Sequence, residues 1–183
     1  MASSEFSALE HRIRTLKTQF LPAPSATGSH TPEEEDNMRA LRALTHAEIE
    51  AYLESICTLL VNDLKRELQG SRGLKSTVST WAREAIRQCE TTVASNNGIA
   101  EKYIRAMFGC LGIEDSDYDS ISPVFLSRMT TYGADRGEVV HKSAMQAQHS
   151  LVSQREDRFI EELLGYLKTF DQLLLRRRLQ GFL

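Results

Sequence analysis

The sequence predicts an all-α protein, an up-and-down bundle of four to five main helices. Several stretches place apolar residues three or four positions apart, the spacing of one helix face, and no stretch of any length alternates as a strand does. Two Ser/Thr-x-x-Glu patterns stand where helices are predicted to begin. The 183 residues are 41% hydrophobic and 26% charged, which is typical of one globular domain that buries a core without staples.

The first predicted helix covers residues 4 to 20. Its apolar residues lie at helical spacing: Phe6, Leu9, Ile13, Leu16 and Phe20. The segment "LPAPSATGSHTPEEED" follows, with three of the four prolines and an acidic run, and it predicts a flexible connection. We therefore divide the chain into residues 1–40, a helix and its linker, and residues 41–183, the main helical domain.

The clearest helix signal covers residues 45 to 69. Thr45 and Glu48 have the spacing of a capping box, and Leu44 and Ile49 have that of a hydrophobic staple. One apolar stripe then runs along the segment: Ile49, Tyr52, Leu53, Ile56, Leu60 and Leu64. The stretch "QGSRG" ends the predicted helix.

Three shorter helices are predicted before the end of the chain. The first covers about 77 to 94, with an apolar set of Trp81, Ala85, Ile86, Cys89 and Val93, and the second covers about 98 to 111. The acidic stretch "IEDSDYDSISP" predicts a loop. A short helix at about 123 to 131 then leads to Gly133.

The last predicted helix begins at Ser153, with Glu156 completing a second capping box. Its apolar stripe continues to the arginine triplet: Phe159, Ile160, Leu163, Leu164, Leu167, Phe170 and Leu174. The triplet is Arg176, Arg177 and Arg178. These cations either complement the carbonyls at a helix C-terminus or contact an RNA backbone, and both interpretations stay open.

Composition and motifs exclude several classes of protein. The net charge of −3 gives no global basic field for nucleic acid. The cysteines Cys57, Cys89 and Cys110 are isolated and odd in number, so we expect neither a disulfide framework nor a zinc site. No phosphate-binding loop, nucleophile elbow or H-E-x-x-H motif is present, and the acidic runs Glu33–Asp36 and Glu114–Asp119 are predicted to be solvated. We expect no cofactor and no metal.

The sequence also predicts where the protein works. The N-terminal stretch "MASSEFSALEHRIR" lacks the apolar core of a signal peptide, and no run of about 18 apolar residues occurs. We therefore expect a cytoplasmic protein that does not span a membrane.

The stretch "DRGEVVHKS" carries the candidate catalytic residues, Arg136 and His141. Metal-free RNA cleavage needs a group that moves protons near neutral pH, which suits histidine. It also needs a cation that stabilises charge on the phosphate oxygens, which suits the fork of arginine. Both residue types are present, with four residues between them.

Spacing alone does not settle this assignment. On a regular helix, residues five positions apart lie about 140° apart, so the two side chains converge more easily where a loop enters a helix. Gly133 and Gly137 permit such a distortion. Arg39 and His46 satisfy the same loose pattern, which shows how easily it arises.

Four segments, in order, resemble the HEPN superfamily of ribonucleases, in its RiboL-PSP-HEPN branch. They are "LRALTHAEIEAYLESICTLLVNDL", "EKYIRAMFGCLGI", "RGEVVHKS" and the final amphipathic helix, and they span about residues 41 to 180. The resemblance implies an all-α bundle and a homodimer with a composite active site. It implies metal-independent endonucleolytic cleavage that leaves a 2′,3′-cyclic phosphate and a 5′-OH. Toxins and anti-phage defence effectors are typical members, so a cognate antitoxin or defence-system partner is expected.

The resemblance also suggests roles for individual residues. Arg136 would stabilise the phosphate, and His141 would act as the general acid or base. Glu50 matches an acidic position of the family and either orients that pair or is an ordinary flanking charge. Lys142 would add phosphate attraction. His46, near the start of its predicted helix, is expected to be structural or at most accessory.

One position departs from a related branch of the family. Toxins silenced by a nucleotidyltransferase antitoxin often carry a tyrosine two residues after the histidine, and here that residue is Ser143. Regulation by AMP attachment is therefore not expected. The alternative to a ribonuclease is an inactive HEPN-like module that binds RNA or a protein partner, or a regulatory subunit.

Overall fold

The computed structural model is all-α, which confirms that part of the predicted fold class. It describes residues 2–25, 28–71, 73, 75–141 and 151–178, with the backbone alone for residues 135–141. Within these ranges there are seven helices and no strand. The helices are α1 (Ser4–Phe20), α2 (Pro32–Gly70), α3 (Ser76–Ala94), α4 (Glu101–Gly109), α5 (Asp115–Ile121), α6 (Phe125–His141) and α7 (Ser153–Arg177).

Helix α2, with 39 residues, is the centre of the bundle, and α1, α3, α4, α6 and α7 all pack against it. The apolar stripes predicted for α1, α2 and α7 are buried in one common core. Phe170 lies near its middle, with ring centroids 4.9 Å from Phe108 and 5.6 Å from Phe125. Burying a side chain of this size stabilises the fold by about 1.5–3 kcal/mol. The N-terminal helix therefore belongs to the same hydrophobic core as the rest of the bundle.

The contacts along α2, α6 and α7 fix the directions of these three helices. Helix α7 runs parallel to α2, because three contacts join them in ascending order: Arg42 with Glu156, Tyr52 with Asp171, and Asp63 with Arg178. Helix α6 runs antiparallel to α7, because Tyr132 packs on Phe159 while Phe125 packs on Phe170. The C-terminal end of α6 therefore lies beside the N-terminal third of α2.

Helix α2 begins at Pro32, earlier than the prediction of residue 45, so the prediction of a linker up to residue 40 is wrong. Thr31 is the N-cap, and it exchanges hydrogen bonds with Glu34 at 2.8 and 3.2 Å in a capping box. Thr45, the predicted cap, is buried inside the helix. The earlier start is favoured because Met38 and Leu41 extend the apolar stripe into the core.

One predicted loop and one predicted helix cap are also wrong. The acidic stretch predicted as a loop contains α5, where the Glu114 backbone N–H donates to Asp117 at 2.9 Å and Tyr118 is buried. Helix α7 begins at Ser153 as predicted, but Glu156 does not cap it and instead pairs with Arg42. In both cases a contact with another helix determines what the acidic segment does.

Helix α3 is the most loosely packed of the long helices. Its bounds agree closely with the prediction, yet its only described buried residues are Ile86 and Cys89. Trp81, expected on the apolar face, is 79% exposed. The first half of α3 therefore projects its apolar side chains away from the core.

A disulfide joins Cys89 of α3 to Cys110, which follows α4, so the expectation that the cysteines form no disulfide is wrong for these two. The helices bring their Cα atoms to 6.0 Å although 21 positions separate them in sequence. A disulfide that closes a loop of this length raises the free energy of unfolding by roughly 3 kcal/mol. Disulfides are typical of oxidising compartments, so this bond does not favour the predicted cytoplasmic location, which stays a prediction. In the described part of the chain, no helix combines the length and apolarity needed to cross a membrane.

The state of the three cysteines can be counted directly. Cys57 is free and buried, and burial raises its pKa to about 12. We expect the native protein to react only slowly with a chromogenic aromatic disulfide near neutral pH, since the thiolate is the reactive form. Unfolding without reductant should reveal one thiol, and unfolding after reduction should reveal three. Three thiols without reductant would mean that Cys89 and Cys110 are not bonded.

Candidate functional site

The candidate catalytic residues lie in the last turns of α6. The predicted end of this helix near residue 131 is wrong, because the backbone continues as a helix through Gly133 and Gly137 to His141. Arg136 and His141 therefore follow helical geometry, with Cα positions about 140° apart around the axis. Lys142 and Ser143 lie outside the described residues.

The turn of α6 just before Arg136 packs directly on α2. A methyl group built on Gly133 would lie 3.7 Å from Nε2 of His46, an ordinary contact distance, so the imidazole on α2 lies next to α6 here. One residue earlier, the Tyr132 hydroxyl donates to the carbonyl of Arg42 at 3.5 Å. Because α2 and α6 are antiparallel, the backbone from Arg136 onward runs beside the part of α2 that precedes Arg42.

The facing side of α2 carries a line of polar residues that we call the α2 polar stripe. It consists of Arg39, Arg42, His46 and Glu50, at successive spacings of three, four and four positions, which puts them on one helix face. His46 is 2% exposed, and its Nδ1 lies 3.7 Å from Oε2 of Glu50, which is 19% exposed. The imidazole and the carboxylate therefore form a mostly buried pair, and the imidazole lies on the side of α2 that meets α6.

Arg39 occupies the end of the stripe nearest the N-terminus of α2. Its guanidinium contacts Asp36 at 2.8 Å and Glu35 at 3.4 Å, and its side chain is 11% exposed. Its buried Nε has no hydrogen-bond partner among the described residues. Arg39 thus puts a mostly buried positive charge on α2, next to the place where α6 ends.

The start of α7 also packs against this part of α2. Two nitrogens of the Arg42 guanidinium donate hydrogen bonds to the Glu156 carboxylate, and the bond from Nε is 2.9 Å long. Both side chains are buried. The ring of Tyr132 lies 5.7 Å from the Arg42 guanidinium carbon. The backbone N–H of Ser153 donates to Nε2 of His30 at 3.4 Å. These contacts hold α2, α6 and α7 together around the end of the bundle that carries the motif.

The sequence identified some of these residues and missed others. Glu50 was assigned a role by resemblance, and it shares the α2 polar stripe with Arg39 and His46, which were expected to lie outside the motif. His30 was expected in a linker, and Glu156 was expected to cap a helix. No signal local to either residue predicts the partner that the fold provides for it.

Other charged segments are engaged within the fold. In the first acidic run, Glu34 caps α2 while Glu35 and Asp36 contact Arg39. At the end of α7, Arg177 donates to the carbonyl of Gly112 at 2.7 Å, and Arg178 contacts Asp63 at 2.7 Å. Two arginines of the triplet therefore hold the helix end to the bundle. Across the described ranges, no cluster of three or more His, Cys, Asp or Glu side chains could hold a metal ion.

Comparison of the chain with protein-family models, with curated proteins and with solved structures finds no match. The functional conclusion therefore rests on the residues themselves and on their geometry.

Proposed function

We propose that this protein is a metal-independent endoribonuclease of HEPN type. The ribose 2′-OH attacks the adjacent phosphorus, the P–O5′ bond breaks, and the products carry a 2′,3′-cyclic phosphate and a 5′-OH. His141 is the general acid or base that moves a proton to or from the reacting oxygens. Arg136 stabilises the negative charge on the non-bridging phosphate oxygens.

The observation that carries the proposal is the position of the Arg–His motif. It stands on the last turns of α6, immediately after the turn that packs on the α2 polar stripe. Sheltered polar side chains beside a candidate catalytic segment favour a site over a plain helix end, because polar groups cost free energy in an interface built only for stability.

Two further residues have supporting roles in the proposal. Glu50 is mostly covered and lies 3.7 Å from His46, which favours a role that acts on the motif through His46 over that of a solvated flanking charge. Lys142 adds attraction for the phosphate. No metal or cofactor takes part in the proposed reaction.

The proposal extends to the assembly and to its biological setting. Two protomers pair and form one composite cleft, which suits a chain of net charge −3 because the RNA then meets a local site and not a broad basic face. The activity is that of a toxin or an anti-phage defence effector, held in check by a cognate antitoxin or defence-system partner.

The direct test is RNA cleavage by the wild-type protein in excess EDTA. Total cellular RNA and a defined RNA that is cut should both yield 2′,3′-cyclic phosphate and 5′-OH ends. A matched RNA with 2′-O-methyl groups should stay intact, because it lacks the nucleophile. Loss of activity in EDTA, or cleavage of the methylated RNA, would contradict the proposed mechanism.

A second candidate function is a non-catalytic interaction module. Trp81 is 79% exposed and Val78 is 47% exposed, three positions apart on α3, and an exposed tryptophan beside another apolar residue is typical of a protein-binding face. A folded wild-type protein that binds RNA or copurifies with a partner, and that cleaves no RNA, would favour this function.

A further inference from the structure

We propose that His46 is a positioning residue for the proposed cleavage reaction, a role that rests on the proposed function. Its imidazole, paired with Glu50 and packed against α6 at Gly133, holds the helical turn that carries Arg136. The sequence alone suggested no more than a structural or accessory role for this histidine.

At Gly133, α6 has close neighbours on two sides. A Cβ built there would lie 3.4 Å from Cγ1 of Ile99, 3.7 Å from Nε2 of His46 and 3.8 Å from the backbone nitrogen of Ala100. These are ordinary contact distances, so the α6 backbone at Gly133 lies about one methyl group away from the segment before α4 and from the imidazole on α2. A change in the size or direction of the His46 side chain alters what α6 meets on one of these two sides.

Gly133 and Arg136 lie close together on the same helix. Arg136 follows Gly133 by three positions, so it lies one turn further along α6 on the neighbouring face. A helical turn is stiff, since each residue is tied to the fourth one before it by a backbone hydrogen bond. Displacement of the backbone at Gly133 is therefore transmitted to the backbone at Arg136.

The stability of the fold alone gives no reason for a histidine at position 46. The next buried positions along α2 are apolar, with Ile49 and Leu53 fully covered, while Arg42 and Thr45 are buried polar residues on the N-terminal side of His46. A buried imidazole needs polar partners, and Glu50 is placed four residues later as one of them. A leucine would fill similar space with no polar group to satisfy. A polar pair in such an interface specifies one arrangement of the helices.

The expected effect is on the chemical step and not on RNA binding. A misplacement of about 1 Å can cost a reaction about 100-fold, even when the altered residue does not touch the substrate. His46→Leu should therefore lower kcat by about 10- to 100-fold, with KM within about twofold of wild type. Its thermal midpoint should stay within a few degrees of wild type, because the leucine keeps the interface filled.

The experiment measures kcat, KM and the thermal midpoint for a small set of full-length variants. His46→Gln keeps an N–H donor and should recover part of the kcat lost in His46→Leu. Glu50→Gln should lower kcat, and combining it with His46→Leu should cost less than the product of the two single effects, because the residues act as a pair. Thr45→Val is the matched control, as Thr45 is equally buried beside His46, and it should keep wild-type kcat.

The outcomes separate this inference from the proposed function. Wild-type kcat in His46→Leu, or equal losses in His46→Leu and Thr45→Val that follow their thermal midpoints, would overturn the positioning role alone. If His46→Leu does not fold, His46→Gln and Glu50→Gln decide in the same way, since both keep polar side chains of similar size. His141→Ala is assayed in parallel. An inactive wild type, or an active His141→Ala, would overturn the proposed function and the inference with it.

Discussion

His141→Ala is expected to lower the rate of RNA cleavage by about 10²–10⁴-fold, because a positioned acid or base contributes about that much to proton transfer. Arg136→Ala should cause a loss of about 10²–10³-fold, since it removes the cation that stabilises the phosphate charge. Arg136→Lys should be only partly active, because an ammonium keeps the charge and loses the paired donors of the guanidinium. Rates are compared by single-turnover cleavage of one defined RNA in EDTA.

The two losses should also not multiply. Residues that act as one catalytic unit give a double variant no worse than the poorer single variant, within experimental error. The double variant with both His141→Ala and Arg136→Ala should therefore cleave RNA at about the rate of the slower single variant. Independent effects would show that the residues do not share a site.

The matched control is His11→Ala, which replaces an exposed histidine on α1. It should keep wild-type activity, and all variants should retain helical circular dichroism and a similar thermal midpoint. Equal cleavage by wild type, His141→Ala and Arg136→Ala would mean that the activity belongs to another site or to a contaminant. The assignment of "DRGEVVHKS" as the catalytic segment would then be wrong.

Glu156→Ala is expected to destabilise the protein by about 3–5 kcal/mol, the largest stability change among the variants considered. The Arg42 guanidinium, 8% exposed, would be left buried without the carboxylate that it grips. For a chain of 183 residues this corresponds to a fall of roughly 6–20 °C in the thermal midpoint. Urea denaturation gives the free energy of unfolding directly.

Two comparisons test the cause of this loss. Glu10→Ala breaks an exposed pair with Arg14 on α1 and should cost only about 0.3–0.5 kcal/mol. The double variant Arg42→Met, Glu156→Leu should recover most of the stability, because the buried charges are replaced by apolar groups of similar size. A small effect of Glu156→Ala would show that Arg42 finds another partner, or that water reaches it.

The same ion pair matters for the site, because Arg42 and Glu156 join α2 to α7 next to the end of α6. Activity of Glu156→Ala should be measured well below its thermal midpoint, where the variant is folded. A loss of cleavage there would reflect the altered arrangement of α2, α6 and α7. Recovery in the double variant would show that the helix arrangement, and not the charges, supports the reaction.

The sequence predicted those parts of the fold that depend on neighbours three or four positions away. Apolar spacing predicted α1, α3 and α7 with nearly correct bounds, because burial of one helix face repeats with the helical period. It also predicted α2, but not its start. A capping box at Thr31 begins the helix earlier than Thr45, and the added turns bury Met38 and Leu41 in the core. Local signals of equal strength compete, and burial in the core decides between them.

The sequence alone determined an all-α chain, its apolar faces, and the residue types in "DRGEVVHKS". It also determined that His46 and Glu50 stand four positions apart on one helix. Only the tertiary structure decided that His46 lies beside Gly133 of α6, that α6 continues through its glycines, that Arg42 meets Glu156, and that Cys89 bonds to Cys110. Helical period and capping act within a few residues, whereas these contacts depend on how whole helices pack, which no local pattern specifies.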